Sequence, residues 1–386
     1  MSWELVEAGD LMARRNGSVN PANFSNEKFE LHSIPAFDLG RPEVLFGSEI
    51  GSVKQVVQPN DVMISKIVPH IRRSSVVGKS SGLRQIASGE WIVFRSERFF
   101  PQYLRHLLIS NQFNAQFMAT VSGVGGSLLR ARPAEVAKIK IPLPPVNEQR
   151  RIAAILDKAD ALRGQRRAAI AKLDELLQSV FIEMFGDPVT NPKSWPIRKI
   201  ADLLDSVKYG SSDKATREGE IPILRMNNLT YSGQIELSDL KYIAAKQADE
   251  KYLVEPGDIL FNRTNSKELV GKTAVYDGPI PMAYAGYLVR GRVNQSNAPE
   301  YISAFLNSIW GKTILRNMCK NIVGMANINA REFGSIELPV PPSELQRKFQ
   351  HYVRAVRTQN QRMQEGMKKL EELFASLQQL AFSGKL

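Results

Sequence analysis

Cysteine is almost absent: Cys319 is the single one in 386 residues. That excludes a disulfide framework and any multi-cysteine zinc site, and it fits a reducing compartment. Histidine is scarce, and His32, His70, His106 and His351 are scattered without metal-ligand spacing. Long hydrophobic runs are missing as well. No apolar stretch approaches the ~18 residues of a membrane span, and the first residues hold no signal-peptide core. The expectation is a cytoplasmic protein without a membrane partner.

Catalytic motifs fail on spacing. Gly78-Lys79-Ser80 and Gly271-Lys272-Thr273 resemble the end of a phosphate loop, but the position needing the first glycine holds Arg73 or Ser266. Asn20-Pro21 and Asn191-Pro192 lack the following Pro-Tyr or Pro-Phe with which amino-methyltransferases grip an adenine. Asp61 and Asp258 sit in Pro-x-Asp turns like the opening of a nuclease site, with no Glu-x-Lys at a suitable distance. The two aspartates therefore read as turn residues. No catalytic residue and no metal ligand is expected.

What the chain does have is positive charge and internal repetition. Lys and Arg number 51 against 39 acids, a net charge of +12. Residues 1–140 carry 17 basic and 12 acidic side chains and residues 187–337 carry 19 and 17, so the excess is spread rather than a tail. Between Asp61 and Glu90 there are five basic residues and no acid, interleaved with Ile64, Ile67, Val68 and Ile71. That pattern is a folded basic surface suited to a polyanion.

Ile141-Pro-Leu-Pro-Pro145 recurs as Leu338-Pro-Val-Pro-Pro342, an offset of 197. The same offset carries Asp61 onto Asp258, Gln149-Arg150 onto Gln346-Arg347, and Leu173-Asp-Glu-Leu176 onto Leu370-Glu-Glu-Leu373. One offset held over more than a hundred residues marks a tandem duplication. Each copy opens with ~140 residues of short apolar runs broken by Gly, Pro, Asn and Ser, which read as strands and loops. Helices are expected at roughly 101–120 and 299–318.

After each proline cluster the period changes to three and four residues. Asn147 is the expected N-cap of the first long helix, and Ser343 with Gln346 fits a capping box for the second. Each is about 38 residues, on the order of 57 Å. The proposed seam is Ile152, Leu156, Leu162, Ile170, Leu173 and Leu177 in one, and Phe349, Val356, Met363, Met367, Leu370 and Phe374 in the other. Amphipathic helices of this length usually pair, so the expectation is an antiparallel coiled coil. Polar interruptions at Arg163 to Arg167 and Gln359 to Arg362 are expected to set register or mark a docking point.

The fold class expected is therefore α+β. Two tandem α/β domains, 1–145 and 187–342, are separated and followed by long helices, 146–186 and 343–386. Arg and Lys can read guanine, and Asn can read adenine, in a major groove. Candidates in the first copy are Lys66, Arg72, Arg73, Lys79, Ser80, Arg84 and Arg130. In the second they are Arg225, Asn227, Asn228, Arg263, Asn265, Ser266, Lys267, Lys272 and Arg290. Phosphate contacts outnumber base contacts, so most would touch the backbone.

The duplicated Pro-rich junctions followed by Val-Asn-Glu-Gln-Arg-Arg-Ile and Ser-Glu-Leu-Gln-Arg, with Val254-Glu-Pro-Gly-Asp-Ile-Leu-Phe-Asn-Arg263, give the architecture a likeness. So does the ending Leu380-Ala-Phe-Ser-Gly-Lys-Leu386. The whole chain resembles the specificity subunit of a type I restriction–modification system. Leu345, where the first copy has Glu148, departs from the matched junctions.

The resemblance implies two target-recognition domains, each reading half of a bipartite, asymmetric double-stranded DNA sequence. It implies helices that set the spacing and dock two modification subunits, and a chain without catalysis or bound cofactor. S-adenosylmethionine for adenine methylation, ATP and Mg would belong to the modification and restriction subunits. Two alternatives are a specificity protein of a methylation-only or other phage-defence system, and a coiled-coil scaffold that reads no DNA. A nuclease or ATPase is opposed by the missing motifs.

Overall fold

A computed structural model describes residues 3–14, 16–123, 129–248, 250–322 and 325–386. It mixes helix and sheet and divides into two compact units. The first is Met1–Arg167 with Glu365–Leu386, and the second is Ala168–Gln364. Both divisions fall inside the long helices rather than at the proline clusters. Each unit therefore contains one strand-rich domain and a part of each long helix.

The first unit holds strands β1 (Leu5–Glu7), β2 (Ser18–Val19), β3 (Lys28–His32), β4 (Glu43–Phe46), β5 (Lys54–Val56) and β6 (Val62–Ser65). These are followed by β7 (Ser74–Val76), β8 (Arg84–Ala87), β9 (Trp91–Phe94), β10 (Val121–Ser122), β11 (Arg130–Ala131) and β12 (Lys140–Pro142). A five-stranded sheet runs β2-β5-β8-β3-β4, with β3 and β8 parallel. A three-stranded antiparallel sheet runs β7-β6-β9, and β1 pairs with β12. Its helices are α1 (Ile34–Asp38), α2 (Pro101–Leu108), α3 (Asn111–Ala119), α4 (Pro133–Val136) and the first part of α5 (Val146–Phe185).

The second unit repeats the plan with different outer strands. Its strands are β13 (Ile197–Lys199), β14 (Leu204–Tyr209), β15 (Ile221–Leu224), β16 (Lys241–Ile243), β17 (Leu253–Val254), β18 (Ile259–Asn262) and β19 (Thr264–Asn265). Then come β20 (Thr273–Val275), β21 (Met282–Tyr284), β22 (Leu288–Val293), β23 (Lys320–Ile322), β24 (Met325–Asn327) and β25 (Glu337–Pro339). The order β14-β22-β18-β20 contains the counterparts of β9, β6 and β7, and β13–β25 is the counterpart of β1–β12. Helices α6 (Pro299–Asn307), α7 (Ile309–Met318), α8 (Ala330–Gly334) and α9 (Ser343–Phe382) complete the chain.

The expected helices at 101–120 and 299–318 are each two helices. Ser110 and Ser308 interrupt them in extended backbone, their hydroxyls accepting from Phe113 N and Gly311 N. A Cβ at Gly311 would collide with the carbonyl of Phe305, so the second break requires glycine there.

The long helices are each 40 residues, close to the expected length. Their predicted caps are corrected. Asn147 lies inside α5, whose first turn is closed by Glu148 N donating to Pro145 O. Ser343 Oγ is buried without a partner, and Gln346 turns away to a different task. Gly186 at φ +80 does end α5, and Lys193 Nζ and Trp195 Nε1 satisfy carbonyls of its last turn.

Gln149 and Gln346 are buried at the start of the two helices. Gln149 Oε1 accepts from Phe100 N at 2.6 Å, and its Nε2 donates to Arg98 O at 3.0 Å and Pro144 O at 2.8 Å. Gln346 Oε1 accepts from Ala298 N at 3.0 Å, and its Nε2 donates to Asn297 Oδ1 at 3.0 Å and Pro341 O at 2.8 Å. Each glutamine thus ties the proline cluster to the residue before α2 or α6. Tyr103 and Tyr301 add a second tie, donating to Pro142 O and Pro339 O.

Within the first unit, Ile152, Ala153 and Leu156 share a core with Phe374, Ala381 and Phe382, joined by Tyr103, Leu104 and the β6–β9 strands. Met367 and Leu370 are half-buried. Leu162 is a correction to the expected seam: it is 48% exposed. Its neighbour Arg163 turns inward instead, stacking 4.1 Å from the Phe374 ring and pairing with Asp160 and Glu371. Arg167 also pairs with Glu371, so polar residues at the interruption form an ion-pair cluster.

Within the second unit, Phe181 and Phe185 pack edge-on to Phe349 at 5.6 and 5.3 Å and both contact Tyr301. Leu177 packs against this core, while Ile170, Leu173, Val356 and Met363 are half-buried.

Candidate nucleic-acid interface

The two units present a loop at the same place, between equivalent strands. In the first, β6 and β7 are joined by residues 66–73, and in the second β18 and β20 are joined by residues 263–272. Both strands β6 and β18 are fully buried, which fixes the base of each loop. A second hairpin braces each one. Ile67 bridges Arg130 beside β10–β11, and β19 pairs with β24 in the sheet β19-β24-β23.

Before each loop, a buried aspartate closes the preceding turn. Gln58 N donates to Asp61 Oδ2 at 2.9 Å, and Glu255 N donates to Asp258 Oδ2 at 2.8 Å. Arg95 Nε reaches Asp61 Oδ1 at 2.7 Å, and Arg292 Nε reaches Asp258 Oδ1 at 3.0 Å. The two aspartates, expected to be turn residues, also anchor an arginine on the neighbouring strand or its end. That pairing raises the pKa of both guanidinium groups.

The sequence candidates divide by what their polar atoms touch. In the first unit Arg72 is exposed on the loop and donates to Ile109 O and Asn111 Oδ1. Lys66 is half-buried, and Lys79 is exposed. Arg73 forms a two-bond pair with Asp38, Arg84 lies 4.8 Å over the Phe24 ring near Glu27, and Arg130 pairs with Glu90. Ser80 closes its own turn, donating to Leu83 O and accepting from Gly82 N.

In the second unit Asn227 and Lys267 are exposed, and Asn265 and Ser266 are half-buried on the loop. Arg263 lies 4.9 Å over the Tyr209 ring and donates to Asn327 Oδ1 at 3.2 Å. Arg225 pairs with Asp239. Three candidates face the interior and bond to carbonyls inside the fold. Asn228 is 1% exposed and bonds Glu236 O and Asp239 O. Lys272 is 8% exposed and donates to Met226 O at 2.7 Å. Arg290, 2% exposed, donates to Leu253 O and lies 3.9 Å from Asp258.

Tyr209 and Asn327 hold Arg263 in place and were not selected from sequence. Nothing local marks them, because the contact joins residues far apart in the chain. Lys312 was missed for the same reason. It is buried beside Lys272, donates to Gly271 O and Asn307 Oδ1, and burial pushes its pKa down to about 8, with Lys272 and Arg316 adding to the shift.

Among the described residues no group of three or more His, Cys, Asp or Glu is arranged to hold a metal ion. Nor is any helix among them long and apolar enough to cross a membrane.

Comparison with known proteins places these loops in context. The family model for the type I restriction modification DNA specificity domain matches twice, over residues 57–172 and 192–372. The chain is 24% identical over 394 residues to the type I restriction enzyme EcoKI specificity subunit of Escherichia coli K12, covering 95% of this chain and 82% of that protein. It is 31% identical over 163 residues to a putative MjaX specificity subunit of Methanocaldococcus jannaschii, covering 41% of this chain and 38% of that one.

Two solved structures share the fold at a TM-score of 0.59. One, 20% identical and covering 100% of this chain and 98% of its own, comes from work on complex assembly and conformational transition of the type I R-M system. The other is the S subunit of a type I restriction–modification system from M. genitalium, 13% identical, covering 99% of this chain and 96% of its own. A twofold match on a duplicated chain, each match containing one braced loop, settles the assignment: this protein belongs to the type I restriction modification DNA specificity family.

Proposed function

We propose that the chain is the DNA sequence-recognition subunit of a type I restriction–modification complex and reads a bipartite, asymmetric target. The observation that carries this reading is the pair of loops, 66–73 and 263–272, built on equivalent buried strands but bearing different side chains. Unlike loops on a repeated frame are what two unlike half-sites require. Each domain, 1–145 and 187–342, takes one half. The loops carry Arg72 on one side and Arg263, Asn265 and Lys267 on the other, residue types that bond base edges and phosphates.

The long helices, 146–186 and 343–386, act in this reading as an antiparallel coiled-coil spacer that docks two adenine-methyltransferase subunits. The mixed packing of both helices within each unit supports it. The chain contributes no chemistry. S-adenosylmethionine, ATP and Mg act on the modification subunits and on the ATP-dependent restriction subunits.

Replacing residues 1–140 with the corresponding domain of another such protein tests the modular reading. Methylation mapping of cells carrying the chimera should show one altered half-site and one unchanged. Alteration of both halves overturns it. A methylation-only partnership is the second reading, and loss of phage restriction without loss of methylation when partner subunits are deleted in turn distinguishes the two. Salt-insensitive or absent DNA binding by the assembled complex would instead favour a scaffold role.

A further inference from the structure

The first unit contains a cleft of about 730 Å³ lined by no residue of the 66–73 loop, between α1 and the β7 edge. That volume lies within the ~300–1,000 Å³ range of small-ligand sites. Its inner polar groups come from β3 and β7. Glu30 is 7% exposed; its Oε1 accepts from Gln85 Nε2 at 2.8 Å and faces His32 Nε2 at 3.4 Å, and its Oε2 accepts from Ser81 Oγ at 3.1 Å, which leaves acceptor capacity on Oε2. Ser74 is 4% exposed, lines the cleft, and its hydroxyl is buried with no protein partner. A buried hydroxyl left unpaired costs free energy, and a ligand polar group removes that cost.

The apolar part of the cleft is aromatic. Phe37 from α1 is half-buried there and meets the Trp91 ring edge-on at 5.7 Å. Trp91 is fixed by its Nε1 donating to His32 O at 3.0 Å. Arg41 and Lys79 stand exposed at the edge, and among the described residues neither forms an ion pair. In the second unit the matching registers Val62–Val76 and Ile259–Val275 put Gly278 at the place of Lys79, so no cation stands there. The arrangement thus belongs to the first unit.

We propose that this cleft binds a nucleotide, with the base against Phe37, its polar edge toward Glu30 and Ser74, and its phosphate toward Arg41 and Lys79. A buried acceptor beside a hydroxyl matches the donor–acceptor edge of a base, the ring supplies a stacking face, and the outer cations match the phosphate. The nucleotide has two possible sources: a free mononucleotide, or a nucleotide swung out of bound duplex. The second source rests on the DNA-reading role proposed above.

Calorimetric titration of the full chain with the four nucleoside 5′-monophosphates, against ribose 5-phosphate and inorganic phosphate, tests it. At least one mononucleotide should bind about tenfold more tightly than either control. Gly78 lines the cleft and nothing lies within 4 Å of a Cβ built on it, so Gly78→Leu adds bulk at the cleft wall with room for the new Cβ. That variant should lose about tenfold in affinity at an unchanged denaturation midpoint, and Ser74→Ala about threefold.

In the assembled complex, duplexes carrying 2-aminopurine at successive positions should show a fluorescence rise that disappears with Gly78→Leu if the source is extruded DNA. Mononucleotide binding without that rise assigns the site to a free nucleotide. No mononucleotide binding, equal binding of ribose 5-phosphate, or indifference to Gly78→Leu overturns the proposal. If DNA binding and methylation persist in that case, the recognition role stands by itself.

Discussion

Gln149 and Gln346, 197 positions apart, make matching sets of three hydrogen bonds, each binding a proline cluster to the backbone that enters a short helix. The match explains why Gln is the residue carried across the duplication while its neighbour changes from Glu148 to Leu345. A carboxamide is needed because both a donor and an acceptor are used. Gln149→Leu or Gln346→Leu should each cost about 3 kcal/mol, because three buried polar groups lose their partner. Gln149→Glu should cost as much, since a carboxylate cannot donate to Arg98 O and Pro144 O. Chemical denaturation of the variants is the check, and near-wild-type stability in the Glu variant would refute the account.

Asp61 is buried and Arg95 is its cationic partner, and Asp258 and Arg292 repeat the pair. Arg95→Ala strands a buried carboxylate and should destabilise by about 3 kcal/mol. Asp61→Asn, which keeps the shape and part of the hydrogen bonding, should cost less. Equal losses in the two variants would show that volume rather than charge dominates.

Lys312 should make the stability of the second unit depend on pH above neutrality. Its folded pKa, pushed down to about 8, lies below the usual 10.5. Between those values the unfolded chain holds a proton that the folded chain has released, so stability rises with pH across that window. Relative to Lys312→Met, the gain should approach about 3 kcal/mol at its upper end. The comparison of wild type with variant cancels the titration of the tyrosines. A flat difference from pH 7 to 10 would contradict it.

Lys267 and Arg290, both basic and both in the second unit, should fail in different ways. Lys267 is exposed on the loop. Lys267→Ala in the assembled complex should weaken DNA binding and flatten the log-affinity against log-salt slope by about 0.9 if it neutralises one phosphate. Arg290 is buried against Leu253 O. Arg290→Ala should lower the denaturation midpoint, by about 3 kcal/mol in stability, and leave the salt slope of the surviving folded protein unchanged. Reversed outcomes would place Arg290 at the DNA.

The long helices were legible because a 3.6-residue period over forty residues has no other reading, and the duplication was legible because one offset recurs. The breaks at Ser110 and Ser308 were not, since Ser followed by Asn or Ile does not interrupt an apolar pattern. The caps at Asn147 and Ser343 misled because the preceding prolines already supply the first carbonyl acceptors. Among the candidate residues, the loop positions of Arg72, Arg263 and Lys267 follow from local composition. The inward turn of Asn228, Lys272 and Arg290 does not, because the carbonyls that hold them belong to Glu236, Met226 and Leu253.

The two units differ in when they can be completed during synthesis. The second, 168–364, is one continuous segment and can close its core as soon as it leaves the ribosome. The first draws Phe374, Ala381 and Phe382 from the segment Glu365–Leu386, beyond the whole second unit, to cover Ile152 and Leu156. At ~5–20 residues per second, its apolar helix face waits some tens of seconds for that cover. Of the two domains, the one made earlier is therefore finished later, and a ribosome stalled before Phe374 leaves it open.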